Sequence, residues 1–298
     1  PTARAIAAGP VAGDGAGDLV ILEADAIALH RGSPGGPGIA ERASLLGPAT
    51  GMALADLDRD ALLDVAVVVE RPGTGFHLGV YRVDGNDRLT FNLDLATDFT
   101  GAGRPCAGDV DGDGSPDLVV LTSSPDAPVL VLRGRGDITF SAPEVAGTAV
   151  STGADTVPLC ADLDGDGRAD LALVQPGRSP GISVLRSLGA SFEPGHALDV
   201  AAVDAAAGDL DRDGDVDLVV AAADGNRLLF LRNLGDGRFA APVEVPLGGA
   251  PARVLVTDLD ADLWPDVVVA GRDGTVAVLR NQGGAVQAVG RAGAASGS

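Results

Sequence analysis

The chain contains no lysine, so all 21 of its basic residues are arginines, and 42 aspartates and glutamates outnumber them. The formal net charge of −21 argues against direct binding to nucleic acid or to an anionic lipid surface, because both need a basic protein surface. No apolar run approaches the ~20 residues that a membrane-spanning helix requires. We therefore expect neither a nucleic-acid partner nor insertion into a membrane.

Aromatic residues are also scarce, at 3% of the chain, and no window shows a helical period flanked by caps. Hydrophobic residues nevertheless reach 46%, which is enough to bury a core. The 43 glycines and 19 prolines indicate a chain rich in turns, and short β-branched runs lie between them. These features predict an all-β protein.

A nine-residue acidic pattern recurs along the chain at intervals of 46 to 53 residues. Its copies are DLDRDALLD (Asp56–Asp64), DVDGDGSPD (Asp109–Asp117), DLDGDGRAD (Asp162–Asp170), DLDRDGDVD (Asp209–Asp217) and DLDADLWPD (Asp258–Asp266). A degraded sixth copy lies at Pro10–Asp18, and each copy runs into an apolar, β-rich stretch. We call the five complete copies the Asp loops and number their residues as positions 1 to 9.

A second marker keeps the same spacing, because each copy is followed by another apolar run, a Gly/Asp turn and a large apolar residue. These residues are Ile39, Phe91, Phe140, Phe192, Phe239 and Val286. Four strands in about 50 residues is the size of a propeller blade. The chain is therefore predicted to be an all-β propeller of six four-stranded blades; an open β-solenoid of the same units is the alternative.

The predicted propeller occupies residues 1–290 as a single domain, and residues 291–298 are expected to form a flexible tail. Its units lie at about 1–46, 47–98, 99–150, 151–202, 203–248 and 249–290.

The chemistry of the Asp loops indicates a cation site. Acids at positions 1, 3, 5 and 9, with a backbone carbonyl at position 7, form a cage of hard oxygens, and Ca²⁺ takes ~6–8 of these. Without a cation the packed carboxylates would repel one another. The loops contain no histidine or cysteine, which argues against zinc, and Mg²⁺ prefers to keep several waters. An EF-hand needs a glutamate at position 12, where Val120 and Leu173 stand.

Three copies depart from the pattern. Ala61 and Leu263 replace the glycine that permits a sharp reversal at position 6, so these two loops are expected to be weaker or strained sites. The degraded copy has Pro10 and Ala12 at positions 1 and 3 and is expected to bind nothing.

The sequence resembles FG-GAP repeats, also called VCBS repeats, which build the calcium-loop propellers of integrin alpha chains and many bacterial exported proteins. The segments CAGDVDGDGSPDLVVL, CADLDGDGRADLALV and AAGDLDRDGDVDLVVA carry the resemblance, and NLGDGRFAAP closes the fifth unit. The resemblance covers nearly the whole chain and implies that each Asp loop joins the first two strands of its blade. Integrin propellers have seven blades, so a seven-bladed ring with one blade missing from this chain is the alternative.

By this resemblance about five Ca²⁺ ions are held, each by four side chains and one position-7 carbonyl. The implied side-chain ligands are Asp56, Asp58, Asp60, Asp64, Asp109, Asp111, Asp113, Asp117, Asp162, Asp164, Asp166, Asp170, Asp209, Asp211, Asp213, Asp217, Asp258, Asp260, Asp262 and Asp266. The implied carbonyl ligands belong to Leu62, Ser115, Arg168, Asp215 and Trp264.

No arrangement of residues indicates catalysis, so the expected function is a non-enzymatic calcium-binding propeller, extracellular or on the surface of a bacterial cell, that binds a protein or serves in adhesion. The integrin resemblance implies a protein or glycan ligand on the face opposite the calcium loops. The longest loops there are Arg71–His77, Thr97–Arg104, Ser123–Pro128 and Gln175–Gly181. The candidate contact residues are Arg71, Phe76, His77, Phe99 and Arg178.

Three alternative functions stay open. A carbohydrate-binding lectin would normally use repeated Trp or Tyr platforms, and this chain has one of each. A structural surface or filament subunit, or an accessory propeller of a larger enzyme, would also suit the repeats.

Two short motifs that resemble functional sites, and one pair of cysteines, lie outside the Asp loops. The G-x-S-x-G pattern at Gly177–Gly181 lies between two predicted strands, and the RGD at Arg135–Asp137 occupies a repeat turn, so both are interpreted as turns. Cys106 lies three residues before its Asp loop and Cys160 two residues before its own. This offset points the two side chains to opposite faces and argues against an inter-blade disulfide, although an oxidising compartment would permit one.

Overall fold

The computed structural model describes residues 5–9, 18–31, 38–86, 88–96, 103–121, 129–146, 155–260, 262–284 and 286–292. In these ranges the regular elements are 24 β-strands, arranged in six four-stranded sheets. Consecutive strands are hydrogen-bonded neighbours in every sheet, as in a blade. No helix within these ranges has the length and apolar character needed to cross a membrane.

The first three sheets contain strands β1 to β12. The first consists of β1 (Ala5–Gly9), β2 (Asp18–Leu22), β3 (Ala26–Arg31) and β4 (Gly38–Ser44). The second consists of β5 (Ala49–Ala55), β6 (Asp64–Arg71), β7 (Gly75–Val83) and β8 (Leu89–Ala96). The third consists of β9 (Pro105–Gly108), β10 (Asp117–Leu121), β11 (Val129–Leu132) and β12 (Glu144–Val145).

The last three sheets contain strands β13 to β24. The fourth consists of β13 (Val157–Ala161), β14 (Asp170–Val174), β15 (Ile182–Ser187) and β16 (Phe192–Leu198). The fifth consists of β17 (Ala202–Gly208), β18 (Asp217–Ala222), β19 (Arg227–Leu231) and β20 (Val243–Pro246). The sixth consists of β21 (Pro251–Thr257), β22 (Asp266–Gly271), β23 (Val276–Asn281) and β24 (Val286–Ala292).

The chain divides into two compact units. One comprises Pro1–Cys160 with Ser187–Glu193, and the other comprises Ala161–Arg186 with Pro194–Ser298. Strand β6 shows how the first unit is packed, because successive side chains of a strand point to opposite faces. Val65, Val67 and Val69 pack in an apolar cluster with side chains of the first sheet. Ala66 and Val68 pack in a second cluster with side chains of the third sheet.

Both faces of β6 are therefore covered, which explains why its sequence is a continuous apolar run rather than an alternating one. The second unit repeats this packing at β18. There Val219 and Ala221 lie in one cluster with Val254, Val267 and Leu279 from the sixth sheet. The second strand of a blade is thus the buried one, and the residue that opens it is held in a fixed place.

The prediction of an all-β propeller with six four-stranded blades is confirmed. The strands refine two of the unit bounds: β17 begins at Ala202, one residue before the fifth predicted unit, and β24 continues to Ala292, inside the predicted tail. Residues 10–17 of the degraded acidic copy lie outside the described residues.

Cys106 of β9 and Cys160 of β13 form a disulfide, with their Cα atoms 5.6 Å apart. The expectation from their one-residue offset was wrong. That expectation assumed equivalent strands in register, but the two cysteines belong to different sheets, whose strands share no common register.

Candidate functional site

Each Asp loop connects the first strand of its blade to the second. In the third sheet, for example, β9 ends at Gly108 and β10 begins at Asp117, so the loop runs between them. Position 9 is the first residue of the second strand in all five copies. The loops are thus anchored on the most buried strand of each sheet.

Three carboxylates converge in every Asp loop, each placing one oxygen within 4.8 Å of the others. In four loops these are the acids at positions 1, 3 and 9, and in the last loop they are the acids at positions 1, 3 and 5. The groups are Asp56, Asp58 and Asp64; Asp109, Asp111 and Asp117; Asp162, Asp164 and Asp170; Asp209, Asp211 and Asp217; Asp258, Asp260 and Asp262. Three of the four predicted side-chain ligands therefore meet in each loop.

The position-1 carboxylate builds the turn. Asp109 Oδ1 accepts the backbone N–H groups of Gly112 at 2.7 Å and Asp113 at 3.1 Å, and its Oδ2 accepts that of Gly114 at 2.7 Å. In all five loops the position-1 acid accepts the N–H groups of positions 5 and 6. This turn curls the loop around its own acids.

The turn needs left-handed backbone at position 6, and the loop keeps it even without glycine. Gly114 has a φ of 84°, and the residues that replace glycine, Ala61 and Leu263, both have a φ of 71°. For a residue with a side chain this conformation costs roughly 1–2 kcal/mol. These two loops therefore preserve the shape of the others and carry local strain.

The position-5 acid stabilises the turn by accepting a backbone hydrogen bond within the loop. Asp113 Oδ1 accepts the N–H of Ser115 at 2.7 Å, and the position-5 acid accepts the position-7 N–H in every loop. In four of the five loops position 5 is not one of the three converging carboxylates. Its observed role is to fix position 7, whose carbonyl is the predicted fifth ligand.

The position-9 acid is a buried brace between the loop and the third strand of the sheet. Asp117 is 1% exposed; its Oδ2 accepts the N–H of Val110 at 3.1 Å and its Oδ1 accepts that of Gly134 at 2.8 Å. The equivalent donors are Leu57 and Val83 for Asp64, Leu210 and Asn233 for Asp217, and Leu259 and Asn281 for Asp266. This carboxylate holds the fold as well as facing the cluster.

Burial makes these carboxylates costly as anions. Desolvation raises the pKa of Asp64 to about 7, although the N–H of Val83 partly offsets it, and the nearby charge of Asp58 adds to the rise. Desolvation likewise raises the pKa of Asp117 to about 6, again against a backbone hydrogen bond, here from Gly134. A cation beside the cluster would favour the charged form and reduce this cost.

The position-3 acid provides the test of whether a metal fits. Asp58 Oδ1 and Asp211 Oδ1 are buried, and neither has a hydrogen-bond partner among the described residues. Buried polar atoms are normally satisfied, so two equivalent orphans in two equivalent loops point to a missing partner. A hard cation bound by carboxylate oxygens would supply it, and the residues present therefore fit Ca²⁺.

A set of arginines, one for each Asp loop, was not predicted from the sequence. Each stands at the end of the third-strand apolar run and contacts the position-3 acid through its Oδ2 atom. The pairs are Arg82 with Asp58, Arg133 with Asp111 at 3.5 Å, Arg186 with Asp164 at 3.9 Å, Arg232 with Asp211 at 2.7 Å and Arg280 with Asp260 at 3.0 Å. The signal was present in the sequence, because the runs VYR, VLR, VLR, FLR and VLR end in the same residue.

A set of hydrogen bonds between neighbouring sheets within each unit was also not predicted. In each, a residue of one sheet donates to the position-2 carbonyl of the Asp loop in the preceding sheet. The donors and acceptors are the Ile138 N–H to Leu57 O at 3.1 Å, Ser187 Oγ to Val110 O at 2.6 Å, Asn233 Nδ2 to Leu163 O at 2.8 Å and Asn281 Nδ2 to Leu210 O at 2.7 Å. Two arginines at position 4 also reach the next loop: Arg59 donates to Ser115 Oγ, and Arg212 stacks on Trp264 at 5.2 Å. The loops are thus laterally braced.

Three of the residues predicted to contact a partner make contacts inside the protein instead. His77 is buried, with its Nδ1 3.0 Å from Asp94 Oδ1 and its Nε2 3.0 Å from Thr74 Oγ1, so it lacks the exposure that a contact residue needs. Arg71 pairs with Asp94 at 2.7 Å, and Phe76 packs against the cluster between the second and third sheets.

The other predicted contacts divide between described and undescribed residues. Arg178 is exposed in the connection between β14 and β15. Phe99 lies outside the described residues, as do residues 97–102 and 123–128 of two predicted loops.

The two tempting motifs are turns. Ser179 Oγ donates to Asp199 Oδ1 at 2.8 Å, so the hydroxyl of the G-x-S-x-G pattern is bonded to an acid rather than to a histidine. In the RGD segment, Asp137 Oδ1 accepts the N–H of Thr139 at 3.0 Å, and Arg135 Nη1 donates to the carbonyl of Phe140 at 3.0 Å. Local hydrogen bonds account for both segments.

Comparison with known proteins supports this description. The sequence model of the family described as FG-GAP-like repeat matches residues 109–173 and 209–269. The curated protein sequences contain no match. A lectin of Agrocybe aegerita, solved for its specific recognition of non-reducing terminal N-acetylglucosamine, is 20% identical with a TM-score of 0.60, over 97% of this chain and 80% of that one.

Two further structures share the fold at low identity. BBS1N, solved in complex with ARL6DN, is 16% identical with a TM-score of 0.58, over 94% of this chain and 79% of its own. A functionally unknown protein of Desulfotomaculum acetoxidans is 13% identical with a TM-score of 0.60, over 91% of this chain and 78% of its own. Together with the two matched segments and the six four-stranded sheets, these likenesses identify the protein as a six-bladed β-propeller that carries FG-GAP-like repeats.

Proposed function

We propose that the protein is a non-enzymatic, calcium-binding β-propeller that acts outside the cell as a protein-binding or adhesion module. The observation that carries this proposal is the convergence of three carboxylate oxygens within 4.8 Å in each of the five Asp loops. Like charges at this separation repel, and the same arrangement recurring in five loops is better explained by a shared ligand than by chance.

The ligand set favours calcium. The acids at positions 1, 3 and 9 in four loops, and at positions 1, 3 and 5 in loop 258–266, would hold the ion together with the position-7 carbonyl. All of these donors are hard oxygens of the kind that Ca²⁺ prefers. The bound ion would supply positive charge to the cluster. The orphaned oxygens of Asp58 and Asp211 support this choice, since they offer unused lone pairs inside the loops.

The hydrogen bonds of the acids support a structural role rather than acid–base catalysis. Asp109, Asp113 and Asp117 each accept backbone N–H groups that fix the shape of the loop. An acid committed to several such bonds is well placed to hold an ion and poorly placed to exchange protons with a substrate.

The disulfide between Cys106 and Cys160 supports a location outside the cytoplasm, because disulfides persist in oxidising compartments. Calcium is also abundant there, which suits a protein with five acidic clusters. We therefore propose an extracellular or cell-surface protein.

The proposed partner is a protein, and a glycan is the second candidate. The likeness to BBS1N in complex with ARL6DN favours a protein ligand, and the likeness to the Agrocybe aegerita lectin favours a sugar. A glycan array distinguishes the two. Repeated hits on one sugar class would establish the lectin function, whereas an array without hits would leave the protein ligand.

Thermal unfolding with and without calcium tests the metal function. A site at 100-fold over its dissociation constant stabilises the fold by about 2.7 kcal/mol, so several sites together approach the stability of a domain, ~5–15 kcal/mol. We expect EDTA to lower the melting temperature by more than about 10 °C. Excess Ca²⁺ should restore it, and Mg²⁺ should not. An unchanged melt in EDTA would contradict the proposal.

A further inference from the structure

The five third-strand arginines, Arg82, Arg133, Arg186, Arg232 and Arg280, form a repeated feature that the calcium function does not itself require. A guanidinium beside an acid is common, but here the same strand end meets the same loop position five times. Four of these arginines also contact a second acid of the loop, at position 5 (Arg82 and Arg232) or position 9 (Arg133 and Arg280). Fixing an arginine side chain costs rotamer entropy. The same contact in all five loops therefore indicates that these arginines share a role.

The contacts divide the position-3 carboxylate between two uses. In Asp211 the Oδ2 atom is 2.7 Å from Arg232 Nε, whereas Oδ1 is buried and has no partner among the described residues. Asp58 shows the same division, with Oδ2 bonded to Arg82 and Oδ1 orphaned. In these two loops one oxygen faces the arginine, and the other is left for a ligand. In Asp111 and Asp164 the second oxygen accepts the position-5 N–H, at 3.2 and 3.3 Å.

We propose that each third-strand arginine is a built-in counter-cation, which neutralises the position-3 acid when calcium is absent and weakens calcium binding when the ion is present. This inference rests on the proposed calcium function. The arginine would keep the empty loop from being forced open by its own charge, and it would set the calcium affinity below that of the carboxylates alone.

The expected size of the effect follows from Coulomb's law. A single and a double positive charge about 5 Å apart repel by roughly 1–2 kcal/mol in a water-like dielectric, which corresponds to about a tenfold change in affinity. Arg232 is 58% exposed, so it can turn away into solvent when the ion binds. Arg133 is only 17% exposed and also donates to the carbonyl of Gly189, so it is held more firmly.

Loop 258–266 provides a site-specific measurement of affinity. Trp264, the only tryptophan of the chain, stands at position 7 of this loop. Energy transfer from an excited indole to Tb³⁺ falls steeply with distance, so Trp264-sensitised luminescence reports Tb³⁺ in this loop and in loop 209–217, whose Arg212 stacks on the indole. Repeating the titration in an Asp211→Asn background removes the second contribution. Arg280 is the counter-cation of the same loop, with its Nη1 3.0 Å from Asp260 Oδ2 and 2.5 Å from Asp266 Oδ2.

We expect Arg280→Gln to lower the Tb³⁺ concentration for half-saturation by about tenfold, and Arg280→Lys, which keeps the charge, to stay near the wild type. Arg253→Gln is the matched control, because it removes one charge from the same sheet at a residue whose side chain bonds a backbone carbonyl. An affinity that is unchanged or weaker in Arg280→Gln, or equally raised in Arg253→Gln, would overturn the proposal.

A second measurement tests the calcium-free state. In EDTA, Arg232→Gln, which loses ion pairs with Asp211 and Asp213, should unfold about 1–3 °C below Arg238→Gln. Arg238→Gln loses one ion pair, with Asp236, in the connection between β19 and β20 and outside the Asp loops. Equal melting of the two variants would overturn the counter-cation role. If the wild type shows no sensitised Tb³⁺ luminescence and no calcium-dependent melting, the proposed calcium function fails, and the comparison in EDTA still decides what the arginines do.

Discussion

Replacing Asp117 by asparagine should destabilise the calcium-free protein more than replacing Asp111 does, because position 9 is buried and joins the loop to the rest of its sheet. Asp117 is 1% exposed and accepts N–H groups of Val110 at 3.1 Å and Gly134 at 2.8 Å, besides Arg133 at 3.2 Å. An asparagine has one acceptor oxygen, so its amide nitrogen would face one of these donors. Asp111, by contrast, is 31% exposed; its ion pair with Arg133 is 3.5 Å long, and its Oδ1 accepts the N–H of Asp113 at 3.2 Å within an exposed turn.

The magnitudes follow from these contacts. Losing one hydrogen bond to a charged acceptor costs about 1.5–3 kcal/mol, and leaving a buried N–H unsatisfied costs about 1–3 kcal/mol more. Removing a buried charge returns part of this, because desolvation already raises the pKa of Asp117 to about 6. We expect Asp117→Asn to lower the free energy of unfolding in EDTA by about 2–4 kcal/mol, and Asp111→Asn to change it by less than about 0.5 kcal/mol.

Urea unfolding of both variants, in EDTA and in saturating Ca²⁺, measures these differences. With calcium present, both variants should also lose the contribution of one site, about 2.7 kcal/mol at 100-fold over its dissociation constant. If the two variants were equally destabilised in EDTA, position 9 would not be a brace between the loop and the third strand, and our account of the loop would be wrong.

Three further substitutions test other parts of the structure. Leu263→Gly should relieve the left-handed strain and raise the melting temperature by about 1–3 °C, whereas Leu234→Gly, at another exposed leucine without positive φ, should lower it. Replacing Cys106 and Cys160 by serine should cost about 4 kcal/mol in urea unfolding, since the bond closes a loop of 54 residues; no loss would contradict the bond. Asn233→Ala should cost about 1–3 kcal/mol, because a buried carbonyl (Leu163) and a part-buried one (Val216) lose their donor, and an unchanged urea midpoint would refute that brace.

The sequence predicted the placement of the Asp loops because the signal is local. An acidic turn followed at once by an apolar run defines both the loop and the start of a buried strand, as at Asp117 and β10. The second marker was less exact. Of its residues, Phe140 and Phe239 each form an isolated bridge, to Gly134 and Asn233, and the fourth strands β12 and β20 begin later.

The partners of the acids could not be predicted because they are distant in sequence. Gly134, which follows the third strand and donates to Asp117, lies 17 residues away, and Ser187 reaches the carbonyl of Val110 across 77 residues. The first contact depends on how the strands of one sheet pair, and the second on how neighbouring sheets pack; the repeat pattern encodes neither. The arginines are an intermediate case. Their recurrence is visible in the sequence, but the sequence does not show which acid each of them contacts.

The disulfide was misjudged for the same reason. The alternation of side chains along a strand predicts which face of its own sheet a residue occupies. The expectation applied this rule to two residues in different sheets. Cys106 and Cys160 lie in β9 and β13 of different sheets, where that rule has no force.

Calcium content measures the central claim most directly. Protein stripped with chelator, dialysed against millimolar Ca²⁺ and analysed by elemental mass spectrometry should contain about five calcium ions per chain, one for each acidic cluster. A control with asparagine in place of Asp58, Asp111, Asp164, Asp211 and Asp260 should contain close to none. Wild-type protein that emerged from the same dialysis without calcium would contradict the account.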